Sequence, residues 1–192
     1  MMERVTQKDI LPLPAYEQVR DDFRKEMIAY KKNRRLFVGD AVTLVFEDKK
    51  TMIFQVQEML RAEKITDPEA VQYELDVYNK ILPDENELSA TLFIQFSDTS
   101  KVREEAKRYK GISRNTYLVV GEHEIRGELD EMSASEDRAW AVQYLRFRFS
   151  PEAKEAFLHG EAPVRVEIRD TVYQEQAELP AAMREALKAD FR

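Results

Sequence analysis

Two stretches of this chain follow one plan, and that repetition constrains the fold more than any other feature. "LSATLFIQFSDTSKVREEAKRYKGISRNTYLVV" and "WAVQYLRFRFSPEAKEAFLHGEAPVRVEIR" each read as strand, Phe-Ser, short helix, glycine, strand. Phe96-Ser97 with Gly111 corresponds to Phe149-Ser150 with Gly160. Each serine stands where an N-cap hydroxyl accepts from a free backbone N–H, and Pro151 suits a first helical position because it has no N–H to leave unpaired. Each glycine suits the left-handed residue that closes a helix. Leu92, Ile94 and Phe96 alternate in step with Leu145, Phe147 and Phe149, so one face of each strand is apolar. Two successive βαβ units of this kind predict a ferredoxin-like βαββαβ sandwich, a sheet with helices on one face. The intervening "GEHEIRGELDEMSASEDRA" then supplies a hairpin and a long acidic loop.

The residues before this repeat predict a helix, a hairpin and a helical pair. "AYEQVRDDFRKEMIAYKKNRR" puts Tyr16, Val19, Phe23, Met27 and Tyr30 on one helical stripe. Its closing cations, Lys31, Lys32, Arg34 and Arg35, suit the negative end of a helix dipole, a reading that competes with a phosphate- or RNA-binding patch. In "DAVTLVFEDKKTMIFQV", Val42, Leu44 and Phe46 alternate, a polar "EDKK" turn follows, and a second apolar run completes a hairpin that leads directly into a helix. Thr66 with Glu69, and Pro68 between them, form a capping-box signature for the next helix, whose stripe is Val71, Leu75, Tyr78 and Leu82 before Pro83 stops it. "PAAMREALKADF" predicts a final helix with Met183 and Leu187 on its apolar side. The expected class is α+β. It forms one compact domain over residues 1–192, divisible at most into a helix-hairpin-helix-helix part (1–84) and a ferredoxin-like part (85–192).

Composition narrows the chemistry. The chain has no cysteine, which excludes thiolate nucleophiles, disulfides, cysteine-held zinc and protein-held iron–sulfur clusters. A net charge of -7 opposes non-specific attraction to nucleic acid or an anionic membrane. No run nears the roughly 18 apolar residues of a membrane span, and "MMERVTQKDILPLP" lacks the apolar core of a secretory signal, so a soluble cytoplasmic protein is expected. With only five glycines there is no phosphate-cradling loop or dinucleotide fingerprint, and no G-x-S-x-G elbow is present.

Three groups of residues are candidate sites. The helical pair "FQVQEMLRAEKITDPEAVQYELDVYN" carries Gln57, Glu58, Arg61, Glu74, Tyr78 and Asn79, which converge if "KITD" joins two antiparallel helices. It lacks the histidines of a di-iron carboxylate site, so it reads as a partner-binding surface or as a mutually satisfied structural network. On the sheet face opposite the apolar set, Thr91, Phe93 and Gln95 neighbour Trp140, Tyr144, Arg146 and Arg148. Aromatic and arginine side chains on an open sheet bind partners or stack single-stranded RNA, although "VQYLRFRF" lacks the glycine-aromatic core of an RNA-recognition strand. His123 stands among Glu122, Glu124, Glu128 and Asp130, the residue types of a metal site or a general base. Strand alternation sends it to the opposite face from Glu122 and Glu124, which favours a solvent-facing hairpin. His159 precedes Gly160 at a helix end and reads as a dipole cap.

"LPLPAYEQVR", "VGDAVTLVFEDKKTMIFQVQEMLRAEKI", "ELDVYNKILPDENELSATLFI", "AVQYLRFRF" and "AELPAAMREAL" resemble, in order and across nearly the whole chain, the bacterial family known as domain of unknown function 3501. The resemblance implies no activity and brings no catalytic residues. Genes of that family often lie beside those for rubrerythrin-like proteins and iron–sulfur oxidoreductases, so it implies a setting of peroxide defence or electron transfer. A chain without cysteine fits an accessory role there. The expectation is a non-catalytic accessory or partner-binding protein, without cofactor, whose partner is a rubrerythrin-like or iron–sulfur protein. The alternatives are a small carboxylate-based enzyme holding a divalent metal with His123, and a single-stranded RNA-binding module.

Overall fold

The computed structural model describes residues 3–96, 109, 111–129 and 141–191. Among these, eight strands form one sheet: β1 Arg35–Val38, β2 Val42–Glu47, β3 Glu87–Ile94, β4 Thr116–Val120, β5 His123–Leu129, β6 Val142–Arg148, β7 Val164–Arg169 and β8 Gln174–Glu178. Their order is β1-β2-β3-β6-β5-β4-β7-β8 and every neighbouring pair is antiparallel. The sheet curls until β1 and β8 approach each other, which makes a nearly closed barrel. Tyr173, in the β7–β8 turn, bridges the seam: its hydroxyl donates to the Val38 carbonyl at 2.7 Å and accepts from the Ala41 N–H at 3.1 Å. Gly39 turns β1 into β2 at φ 68°, and a side chain there would run into the Tyr173 hydroxyl.

This architecture overturns the ferredoxin-like expectation. In a βαβ unit the two flanking strands are parallel. Here β3 and β4 have two strands between them, as do β6 and β7, and each step across the sheet reverses direction. Both repeats are therefore antiparallel connections around a barrel wall. Within the second repeat the local reading holds: α4 (Pro151–His159, numbered among the described helices) begins at Ser150, whose hydroxyl accepts from the Ala153 N–H at 3.2 Å. Gly160, however, is extended rather than left-handed, at φ -73° and ψ 158°. Arg184 explains why, because its guanidinium donates to the carbonyls of Ala156, Phe157, Gly160 and Ala162 and satisfies the helix end without a left-handed turn. The serine and helix of the first repeat, from Ser97 onward, lie outside the described residues.

The apolar inward residues of β1 to β7 fill the barrel, including Leu44, Phe46, Leu92, Leu118, Leu145, Phe147 and Val166. Phe157 of α4 and Met183 and Leu187 of α5 (Ala181–Lys188) join the same core. On the outer face of β2, β3 and β6 lies a second layer: α1 (Leu13–Lys31), α2 (Lys49–Ala62) and α3 (Pro68–Asn79). Met52, Val56, Leu60, Leu75, Tyr78 and Leu82 form its core with Val5. This is why β2 is buried on both faces. The α1 stripe buries Tyr16 and Met27, whereas Val19 stays exposed.

The expected hairpin around "EDKK" is also corrected. The run "TMIFQV" is not a strand but the body of α2, and the hairpin partner of β2 is β1. Asp48 starts the helix: its carboxylate accepts from the Thr51 N–H at 2.8 Å while Thr51 Oγ1 accepts from the Asp48 N–H at 2.9 Å. Likewise the cap of α3 is Asp67, which accepts from the N–H groups of Glu69 and Ala70, rather than Thr66. Among the described residues no helix is long and apolar enough to cross a membrane.

Candidate functional site

Strand register sets the outer face of β1, β2, β3 and β6 in rows. Phe37, Thr43, Phe93 and Val142 lie side by side across the four strands; Arg35, Val45, Thr91 and Tyr144 form the next row. Glu47, Ser89 and Arg146 follow, extended by Glu128 of β5, and then Glu87 beside Arg148. The helical layer buries Glu47, Glu87, Ser89 and Thr91 but leaves Phe37, Phe93 and Val142 exposed. The face is thus closed at one end and open at the other.

Where the helical cover begins, a cavity of about 230 Å³ remains. Its walls are Lys31 at the end of α1, Met52 and Gln55 of α2, Ile81, and the sheet residues Arg35, Val45, Glu47, Thr91, Phe93, Val142 and Tyr144. An open hollow of about 410 Å³ over the first row shares Arg35, Val45, Phe93 and Val142 with it. Glu47 is the unusual group in this wall. It is 4% exposed, Thr91 Oγ1 donates to its Oε1 at 2.6 Å, and its Oε2 has no hydrogen-bond partner. Nearby on the same face Thr43 Oγ1 and Ser89 Oγ are also buried without partners. Buried polar atoms are nearly always paired, so three unpaired ones single out this face.

The arginines expected on an open sheet face are instead committed. Arg146 Nη1 donates to Glu87 Oε2 at 2.9 Å, and its Nη2 to the Lys80 carbonyl. Arg148 Nε donates to Glu87 Oε1 at 2.9 Å and lies 3.4 Å from Glu128. Tyr144 stands in the cavity wall. Trp140 lies outside the described residues.

The polar residues of the helical pair do not share one site. Gln57, buried in α2, accepts from the Leu11 N–H at 2.9 Å and donates to the Leu11 carbonyl at 3.0 Å. Asn79 does the same to Val5, at 2.8 and 2.9 Å. Both amides thereby copy the paired bonds of a β-ladder and hold the N-terminal segment against α2 and α3. Glu58 ties down α1: it accepts from the Tyr16 hydroxyl at 2.7 Å and from Arg20 Nε and Nη2 at 2.7 and 2.8 Å. The Arg20 bonds, against the opposing effect of burial and helped by Tyr16, hold the Glu58 carboxyl below the usual range. Arg61 pairs with Glu17 at 2.7 Å. Glu74 is half-buried and Tyr78 belongs to the core of the helical layer.

His123 is not brought together with the carboxylates around it. It opens β5 on the barrel-facing side, whereas Glu124 and Glu128 point outward to Arg169 and Arg148, and Glu122 sits in the preceding turn. Asp130 lies outside the described residues. Among the described residues no group of three or more His, Asp or Glu side chains is placed to hold a metal. Sequence reasoning missed Glu47, and it set Arg35 at the end of a helix, whereas Arg35 opens β1. The available signal was Thr43-Val45-Glu47, the outward set of a strand whose inward set is entirely apolar.

The profile of the family described as "Protein of unknown function (DUF3501)" matches residues 4–191. No curated protein matches the chain. The chain is similar to a novel protein of unknown function from Burkholderia pseudomallei, solved by crystallography, at 31% identity and a TM-score of 0.91, over 99% of this chain and 100% of that one. The barrel-like sheet and its helical cover are therefore an architecture that an experimental structure shares.

Proposed function

This chain belongs to the DUF3501 family of proteins of unknown function, and from that premise we propose that it is a non-catalytic cytoplasmic accessory protein that seats a protein partner on the outer face of β1, β2, β3 and β6. The supporting observation is the apolar row. Phe37 is 61% exposed, Phe93 37% and Val142 39%, and the register makes them successive neighbours with only Thr43 between the two rings. A contiguous exposed apolar patch on an acidic chain marks an interaction surface, and aromatic anchors on a rigid sheet bind without first having to be ordered.

The partner class is the one that the family's gene neighbourhood implies, a rubrerythrin-like or iron–sulfur protein of peroxide defence or electron transfer. Redox chemistry then resides in the partner, which agrees with a chain that has no cysteine. Anaerobic affinity purification of the tagged chain from its native host tests this, with Phe37→Ser and Phe93→Ser beside the wild type. Loss of one aromatic anchor costs about 2 kcal/mol, roughly thirty-fold in Kd, so a near-stoichiometric partner should disappear from both variants. Equal recovery from all three proteins, or a wild type that captures no redox protein, refutes the reading.

A further inference from the structure

We propose that the cavity beneath α2 binds a small amphoteric molecule, one that carries a protonated amine and a carboxylate on a short hydrocarbon frame. The inference does not rest on the partner surface, because the cavity lies within the chain's own walls. Its first support is Glu47. Glu47 lines the cavity; Thr91 fixes one of its carboxylate oxygens, and the other is buried without a donor. An ammonium in the cavity offers this carboxylate a charge-assisted interaction, the strongest kind open to it.

The second support is the opposite charge in the same wall. Arg35 has no carboxylate partner among the described residues, and Lys31 meets only the Phe54 ring, 5.4 Å from its centroid. Arg35 pairs in register with Val45, two residues from Glu47, so their backbones stand one strand and one pleat apart, about 8 Å. A simple cation drawn to Glu47 is opposed by these two positive groups. A simple anion drawn to Arg35 and Lys31 is opposed by Glu47. A molecule with both charges satisfies both walls at once, and Met52, Ile81 and Phe93 offer apolar surface to the carbons between them. The volume of about 230 Å³ is below the roughly 300 Å³ at which pockets for drug-sized ligands begin, and so suits an amino-acid-sized molecule.

Calorimetric titration of the purified full-length chain tests this with four five-carbon probes: L-norvaline, 5-aminopentanoate, pentylamine and pentanoate. At least one amino acid should bind ten-fold or more tightly than both single-charge analogues, and Glu47→Gln and Arg35→Gln should each weaken that binding at least ten-fold. Arg35 is exposed, so its variant keeps the test valid if the buried substitution fails to fold. Failure of both amino acids to bind overturns the inference. So does a single-charge probe that binds as well as they do, or an Arg35→Gln variant that binds unchanged. Partner capture by the wild type and its loss in Phe37→Ser are read separately, so either proposal can fail alone.

Discussion

Gln57→Ala and Asn79→Ala test whether the polar residues of the helical pair are structural. Each amide makes two hydrogen bonds to the backbone of one residue in the N-terminal segment, and each such bond contributes about 1 kcal/mol net. The two sites differ in what is left behind. Val5 is 3% exposed inside the helical layer, so its N–H and C=O are poorly placed to find water once Asn79 is gone. Leu11 is 44% exposed and its backbone rehydrates more easily. The expected losses are therefore about 3 kcal/mol for Asn79→Ala and about 2 kcal/mol for Gln57→Ala. Both side chains hold the same segment, so the double variant should lose less than the sum, because a segment freed at one end no longer needs the other clamp. At about 2–4 °C per kcal/mol for a chain of this size, Asn79→Ala lowers Tm by about 6–12 °C. Urea denaturation gives the free energies, and hydrogen exchange should show faster exchange over residues 3–12. Stability within about 0.5 kcal/mol of wild type for both variants refutes the reasoning. If partner capture were lost at the same time, these side chains would be interaction residues instead.

Two further outcomes are expected. Arg34, 2% exposed, donates to both oxygens of Asp190 at 2.9 and 2.8 Å and lies 2.8 Å from Asp48, which also accepts from the Tyr30 hydroxyl. Arg34→Met leaves two buried carboxylates without their cation and should cost about 3–5 kcal/mol in urea denaturation; a loss under about 1 kcal/mol would show that the site rehydrates. Glu58 has a folded pKa below its unfolded value, so its ion pair stabilises the fold at neutral pH, and that stability disappears as pH falls from the ordinary carboxylate range through the folded pKa. The stability gap between wild type and Glu58→Gln should thus be widest near pH 7 and should narrow below about pH 4; a gap constant over that range contradicts the assignment.

Much of the local structure is legible in the sequence. The bodies of α1, α3, α4 and α5 follow from helical spacing, and Ser150 with Pro151 opens α4 as its chemistry requires. Reading failed first at α2, because a six-residue apolar run fits a strand as well as a helix. The deciding signal is the reciprocal cap between Asp48 and Thr51, which is not the usual Ser/Thr-x-x-Glu pattern. Strand β8 was invisible for another reason. "QEQAE" has almost no apolar residue and is a strand only because β7 offers an edge to pair with. At the candidate site the side chains lie on the expected face, and what the sequence does not show is that Glu87 stands beside Arg146 and Arg148 and bonds both.

The sequence by itself determined the helices α1, α3, α4 and α5 and the strands β2, β3, β4, β6 and β7, the apolar face of each, and which chemistries are excluded by the absence of cysteine. Those properties depend on neighbours a few residues apart along the chain. Tertiary structure decided that two similar strand–helix–strand plans are antiparallel connections of a barrel, that α2 lies over the outer face, and that Glu47 is buried there with one oxygen unpaired. Each of these depends on pairings between residues distant in sequence, and the same alternation of apolar side chains serves a strand equally well in either direction and beside any partner.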